Sequence, residues 1–67
     1  MHITVNGEAR ETAATTVEEL VVEEVGQAPG AGTAVAIDAE VVPRSEWGST
    51  RVAEGSRVDI LTAVQGG

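Results

Sequence analysis

Cysteine, lysine, phenylalanine and tyrosine are all missing from the 67 residues, and Trp47 is the only aromatic residue apart from His2. Without cysteine, neither a disulfide nor a thiolate metal site can brace the fold. With one indole, the core has to come from Val, Ile, Leu and Ala, and a single domain this short has little of it to bury. Such a core leaves no room for a cofactor pocket, which argues against catalysis inside the chain. Positive charge is also scarce: Arg10, Arg44, Arg51 and Arg57 face 11 carboxylates, for a net charge of -7. That balance repels phosphate and excludes nucleic acid as a partner. It suits a partner protein with a basic docking face, although acids also serve plain solubility. No apolar run approaches the roughly 20 residues of a membrane span, and Met1 to Val5 does not resemble a signal peptide. A cytoplasmic protein with no membrane partner is the expectation.

What is present falls into short periodic segments. Ile3 and Val5 alternate with His2 and Thr4, the period of a half-buried strand. Asn6-Gly7 is a hairpin signal, and Glu8 to Thr12 is the predicted return strand, with Ala9 pointing inward. Thr16 is a good N-cap, and Glu19 three residues on completes a capping box. Val17, Leu20, Val21 and Val25 follow at helical spacing, with Glu18, Glu19, Glu23 and Glu24 on the outer faces. A helix over 17–25, stopped at Gly26, is the prediction.

Gln27 to Gly32 has loop composition, with Pro29 and two glycines. Thr33 to Ile37 is a third strand with Val35 and Ile37 on one face. Asp38-Ala39-Glu40 turns the chain, and Val41-Val42 starts a fourth strand that Pro43 ends. Arg44 to Gly48 is a turn that lays Trp47 over the end of the core. Arg51-Val52 is a brief further strand, Glu54-Gly55-Ser56 a tight turn, and Arg57 to Thr62 the last strand. The order gives an α+β domain over 1–62, a helix across one face of a mixed sheet of four to five strands. Residues 63–67 form a tail.

That tail reads Ala63-Val64-Gln65-Gly66-Gly67. Extended, five residues reach roughly 16 Å, enough to enter a partner's cleft. Two glycines thread narrow channels and adopt backbone angles closed to other residues. A terminal carboxylate is a poor electrophile, but adenylation gives it a good leaving group. A sulfur nucleophile can then displace AMP and leave a thiocarboxylate. Taken alone, the same tail also fits an ordinary frayed end.

The second half is more specific. Ala34-Val35-Ala36-Ile37-Asp38, Val41-Val42-Pro43-Arg44, Trp47, Glu54-Gly55-Ser56-Arg57-Val58 and the Gly66-Gly67 end together resemble the ThiS family, sulfur carriers of thiamine (thiazole) biosynthesis. Ser56 is a mild departure, since many relatives carry a second acid after the glycine. The resemblance implies a ubiquitin-like β-grasp with the first and last strands adjacent at the sheet centre. It implies Gly67 as the site of adenylation and thiocarboxylate formation, with Ala63, Val64, Gln65 and Gly66 entering the partner's active site. The implied partners are an E1-like adenylyltransferase of ThiF type, a cysteine-derived sulfur donor and a thiazole synthase of ThiG type. ATP and magnesium would belong to the activating enzyme, with no cofactor on this chain, which is expected to be a monomer when free. Alternatives are a carrier of the same fold for molybdopterin or cysteine synthesis, a ubiquitin-like modifier, and an acidic interaction domain with an inert tail.

The remaining polar residues take structural expectations. Trp47 is a core lid, Arg44 the partner of a nearby acid, and His2 a strand residue with no second ligand in reach. Asp38 and Glu40 lack further metal ligands. No catalytic residue is named.

Overall fold

The computed structural model describes residues 1–26 and 32–62; the loop predicted at 27–31 and the tail at 63–67 lie outside them. Five strands and one helix occur in the order β1 (His2–Val5), β2 (Glu8–Glu11), α1 (Val17–Val25), β3 (Ala34–Ile37), β4 (Glu40–Val42) and β5 (Arg57–Leu61). They make one mixed sheet of order β2-β1-β5-β3-β4. β1 runs parallel to β5, while the pairs β1–β2, β3–β4 and β3–β5 are antiparallel. Chain ends that are far apart in sequence thus meet in the middle of the sheet.

β1 forms where the alternation predicts it, with Ile3 and Val5 buried. Asn6 and Gly7 both take positive φ (51° and 82°), as a two-residue turn matched to strand twist requires. That turn sets the register, and the register overturns the inward placement of Ala9. Ala9 stands opposite Thr4 and Arg10 opposite Ile3. Directly opposed residues share a face, so Ala9 is exposed on the side away from the helix. Arg10 instead takes the helix side of this edge strand, 3.0 Å from Glu8 and 3.7 Å from Glu24. Thr12 and Ala14, just beyond β2, supply the burial that Ala9 does not.

The helix starts and stops as its caps dictate. Thr16 is extended (φ -123°, ψ 162°), and its hydroxyl accepts the Glu19 N–H at 3.2 Å. The reciprocal half of the box is shifted by one residue, because Glu19 Oε1 accepts the N–H and hydroxyl of Thr15 at 2.8 and 2.9 Å. Two further N–H groups of the first turn find main-chain acceptors: Val17 donates to Thr50 O and Glu18 to Trp47 O. At the other end Gly26 (φ 117°) caps by donating to Val22 O at 3.1 Å.

Val17, Leu20 and Val21 are fully buried and pack with Ile3, Val5, Val35, Val58 and Ile60 between helix and sheet. Val25 departs from the predicted stripe and is 38% exposed. The last helical turn carries it to the rim of the sheet, where it borders a groove with Val5, Asn6, Ile60 and Thr62. Periodicity holds along the whole helix, but the core beneath it ends first.

Pro43 ends β4, and one 3-10 turn (Arg44–Glu46) places Trp47 in the core, 4% exposed. The brief strand expected at Arg51-Val52 is only a single antiparallel bridge between Thr16 and Arg51. It is nonetheless structural, since Val52 donates to Thr15 O and is itself buried. The tight turn at Gly55 (φ 83°) then feeds β5, where Val58 and Ile60 point inward as predicted.

Candidate functional site

Gly67, the proposed attachment point, and Ala63, Val64, Gln65 and Gly66 lie outside the described residues. The structure does describe the ground from which they spring. Leu61 ends β5, and Thr62 is the last residue before the tail. β5 is the central strand of the sheet. It pairs with β3 from Ile37↔Val58 to Ala34↔Leu61, so one flank stays hydrogen-bonded to its final residue. The described chain therefore ends at Thr62, directly after the central strand.

Beside that root the sheet face opposite the helix is apolar. Leu61 is 68% exposed and Val41, two strands away, 70%. Between them on β3 stand Ala34, opposite Leu61, and Ala36, opposite Val41. The four line a shallow hollow with Asp59, whose partner across the pair is Ala36. The two alanines keep the hollow low, and the two large side chains form its walls. Large side chains this exposed suit a surface another molecule covers. The alternation Arg57-Val58-Asp59-Ile60-Leu61 put Leu61 outward in sequence, but only strand order brings it near Val41.

The other candidates keep structural roles. Trp47 Nε1 donates to Val42 O at 3.0 Å, deep in the core. The Arg44 guanidinium lies 5.0 Å from the centre of the Trp47 ring, a cation–π contact that the expectation of an acid partner did not include. His2 sits on the exposed strand surface, 3.7 Å from Glu11 and 3.8 Å from Glu54. Asp38 accepts the Arg57 N–H at 3.0 Å and so pins a turn. Among the described residues no group of three or more His, Cys, Asp or Glu could hold a metal ion. No helix among them is long and apolar enough to cross a membrane. The Glu19 pKa is held below its ordinary value, first by the Thr15 N–H and then by the Thr15 hydroxyl.

Comparison with known families decides the relationship. The model of the ThiS family matches residues 3–67, the Gly66-Gly67 end included. The chain belongs to the ThiS family. That places it among small sulfur-carrier proteins. The crystal structure of the thiamine biosynthesis protein ThiS from Geobacter metallireducens is similar over the full length of both chains, at 31% identity and a TM-score of 0.78. The solution structure of a thiamine biosynthesis protein from the same organism matches at 31% identity and a TM-score of 0.76, covering all of this chain and 88% of the other. No curated protein matches. The fold is the ubiquitin-like β-grasp, a five-stranded mixed sheet with one helix.

Proposed function

We propose that this chain carries sulfur for thiamine biosynthesis on the carboxyl group of Gly67. The observation that supports it most is a family match running through the Gly66-Gly67 end, on a sheet whose central strand leads into that end. The Gly67 carboxylate attacks the α-phosphate of ATP, held with magnesium by an E1-like adenylyltransferase of ThiF type, and pyrophosphate leaves. Sulfide, or its equivalent from a cysteine-derived donor, then attacks the acyl carbon. AMP departs with the C–O bond, and Gly67 retains a thiocarboxylate. A thiazole synthase of ThiG type takes up the sulfur.

Each step asks little of the carrier beyond reach and docking. The hollow walled by Val41 and Leu61 adjoins the tail root, so an enzyme seated there receives the tail directly. We assign that face to the activating enzyme. The net charge of -7 favours approach to a basic surface.

The chemistry is tested by incubating the carrier with the adenylyltransferase, ATP, magnesium and sulfide, then adding a thiol alkylator. The chain has no cysteine, so label on it reports the thiocarboxylate. Labelling of the full chain, lost when Gly67 is deleted, is the expected result. An unlabelled chain, or label that survives the deletion, overturns the assignment.

A further inference from the structure

The parallel pairing of β1 with β5 proceeds by regular steps: Thr4 N–H donates to Ser56 O and Asn6 N–H to Val58 O, both at 2.9 Å. In a parallel ladder the next step engages Ile60, whose N–H needs an acceptor and whose carbonyl needs a donor. Backbone cannot supply them here. The chain has already turned off at Asn6 (φ 51°) and Gly7 (φ 82°), and Glu8 is paired back onto Val5. The Asn6 side chain fills the gap. Its Oδ1 accepts the Ile60 N–H at 2.8 Å, and its Nδ2 donates to Ile60 O at 3.1 Å, both partly buried. One amide thus stands in for the peptide groups that a longer β1 would have presented.

Ile60 lies two residues before Thr62, where the described chain ends at the tail. We propose that Asn6 is a positioning residue for the tail: its amide clamp on Ile60 sets the direction in which residues 63–67 leave the domain. The inference rests on the carrier reading above. Five extended residues span roughly 16 Å, so a swing of about 20° at their root moves the far end by about 5–6 Å. Fixing the root narrows the volume Gly67 samples and raises its effective concentration at a site reached while the sheet face is docked. The clamp also explains why asparagine serves here and not merely any turn-former. Glycine and aspartate tolerate positive φ as well. Glycine offers no amide, and aspartate would set a second carboxylate oxygen against Ile60 O.

The test compares the full chain with N6G and N6D, both of which keep the turn. Amide exchange at Ile60 and pyrophosphate exchange by the adenylyltransferase are measured over a range of carrier concentrations. A control variant, Thr12→Ala, weakens the domain elsewhere: Thr12 bonds Glu23 and Ala14 and does not touch β5. Both Asn6 variants are expected to fold; N6G, which loses both bonds, exchanges the Ile60 amide at least tenfold faster, whereas N6D keeps an acceptor for that N–H and loses only the donor to Ile60 O. Their KM for adenylation stays within about twofold, because the docking face is untouched, while kcat falls tenfold or more. The control keeps its kcat. Unchanged kcat in N6G despite faster Ile60 exchange overturns the inference, as does an equal loss of kcat in the control. Failure of the unaltered chain to be adenylated at all instead overturns the carrier reading beneath it.

Discussion

The indole N–H of Trp47 donates to the carbonyl oxygen of Val42 at 3.0 Å, which ties the end of β4 to the turn beyond it. The same ring fills the core and carries the Arg44 guanidinium on its surface. Trp47→Ala should cost about 3–5 kcal/mol, a large share of the stability of a small domain. Trp47→Phe keeps much of the volume but leaves Val42 O without its donor, at about 1–3 kcal/mol. Urea titrations followed by circular dichroism, which does not depend on the lost indole, check the order.

Ala39 holds a φ of 72° beside Asp38 at 50°, in the turn between β3 and β4. A left-handed alanine costs about 1–2 kcal/mol, part of which glycine gives back through its freer unfolded chain. Ala39→Gly should therefore stabilise by about 0.5–1 kcal/mol net. Asp38→Gly should bring no such gain, because Asp38 Oδ1 accepts the Arg57 N–H. Thermal unfolding of the two variants separates the effects.

The displaced titration of Glu19 gives a pH dependence with a definite sign. Its pKa in the folded chain lies below the ordinary 4.5, owing first to the Thr15 N–H. The stabilisation is present above the ordinary value and fades as pH falls through the lowered one. Glu19→Gln should thus be less stable than the parent at pH 7, and the two should converge in acid. A difference that persists unchanged at pH 2 would contradict the assignment; denaturant midpoints measured across pH give the answer.

Val41→Asp and Leu61→Asp alter side chains that are 70% and 68% exposed, so the fold should survive each change within a few tenths of a kcal/mol. Each should weaken binding to the activating enzyme by about tenfold, the scale of a lost interface anchor. Val22→Asp on the helix, 38% exposed on the other side of the domain, should leave binding intact. Calorimetric titration with the adenylyltransferase distinguishes the two faces.

The helix was legible to the residue, 17–25, because Thr16 and Gly26 are caps with short-range mechanisms. Strand existence was legible from alternation in Ile3-Val5 and Val58-Ile60. Ala9 was misplaced although a two-residue turn at Asn6-Gly7 pairs residue 4 with residue 9, and that arithmetic puts both on one face. Val25 obeyed the helical period, but no local pattern reveals where the opposing layer stops. The adjacency of β1 and β5 came only through family resemblance, and their parallel sense only from the structure, since pairing between residues more than 50 apart leaves no local mark. The apolar hollow is hidden for the same reason: strand order alone sets Val41 and Leu61 on either side of β3. Asn6 was noticed for its tolerance of positive φ, while its amide has a separate use at Ile60. The tail chemistry rests on residues 63–67, outside the described part of the structure.

The central place of β5 also governs when the molecule can come into being. The hairpin of β1 and β2 and the hairpin of β3 and β4 are joined in the sheet only through β5. A chain emerging from the ribosome has two unconnected halves until residues 57–61 arrive, and such long-range closure is the slow kind. Copies cut short before Leu61 lack the seam of the sheet as well as the Gly66-Gly67 end. Quality control that removes unfolded chains would remove them too, and the surviving pool would be enriched in chains synthesised past the central strand.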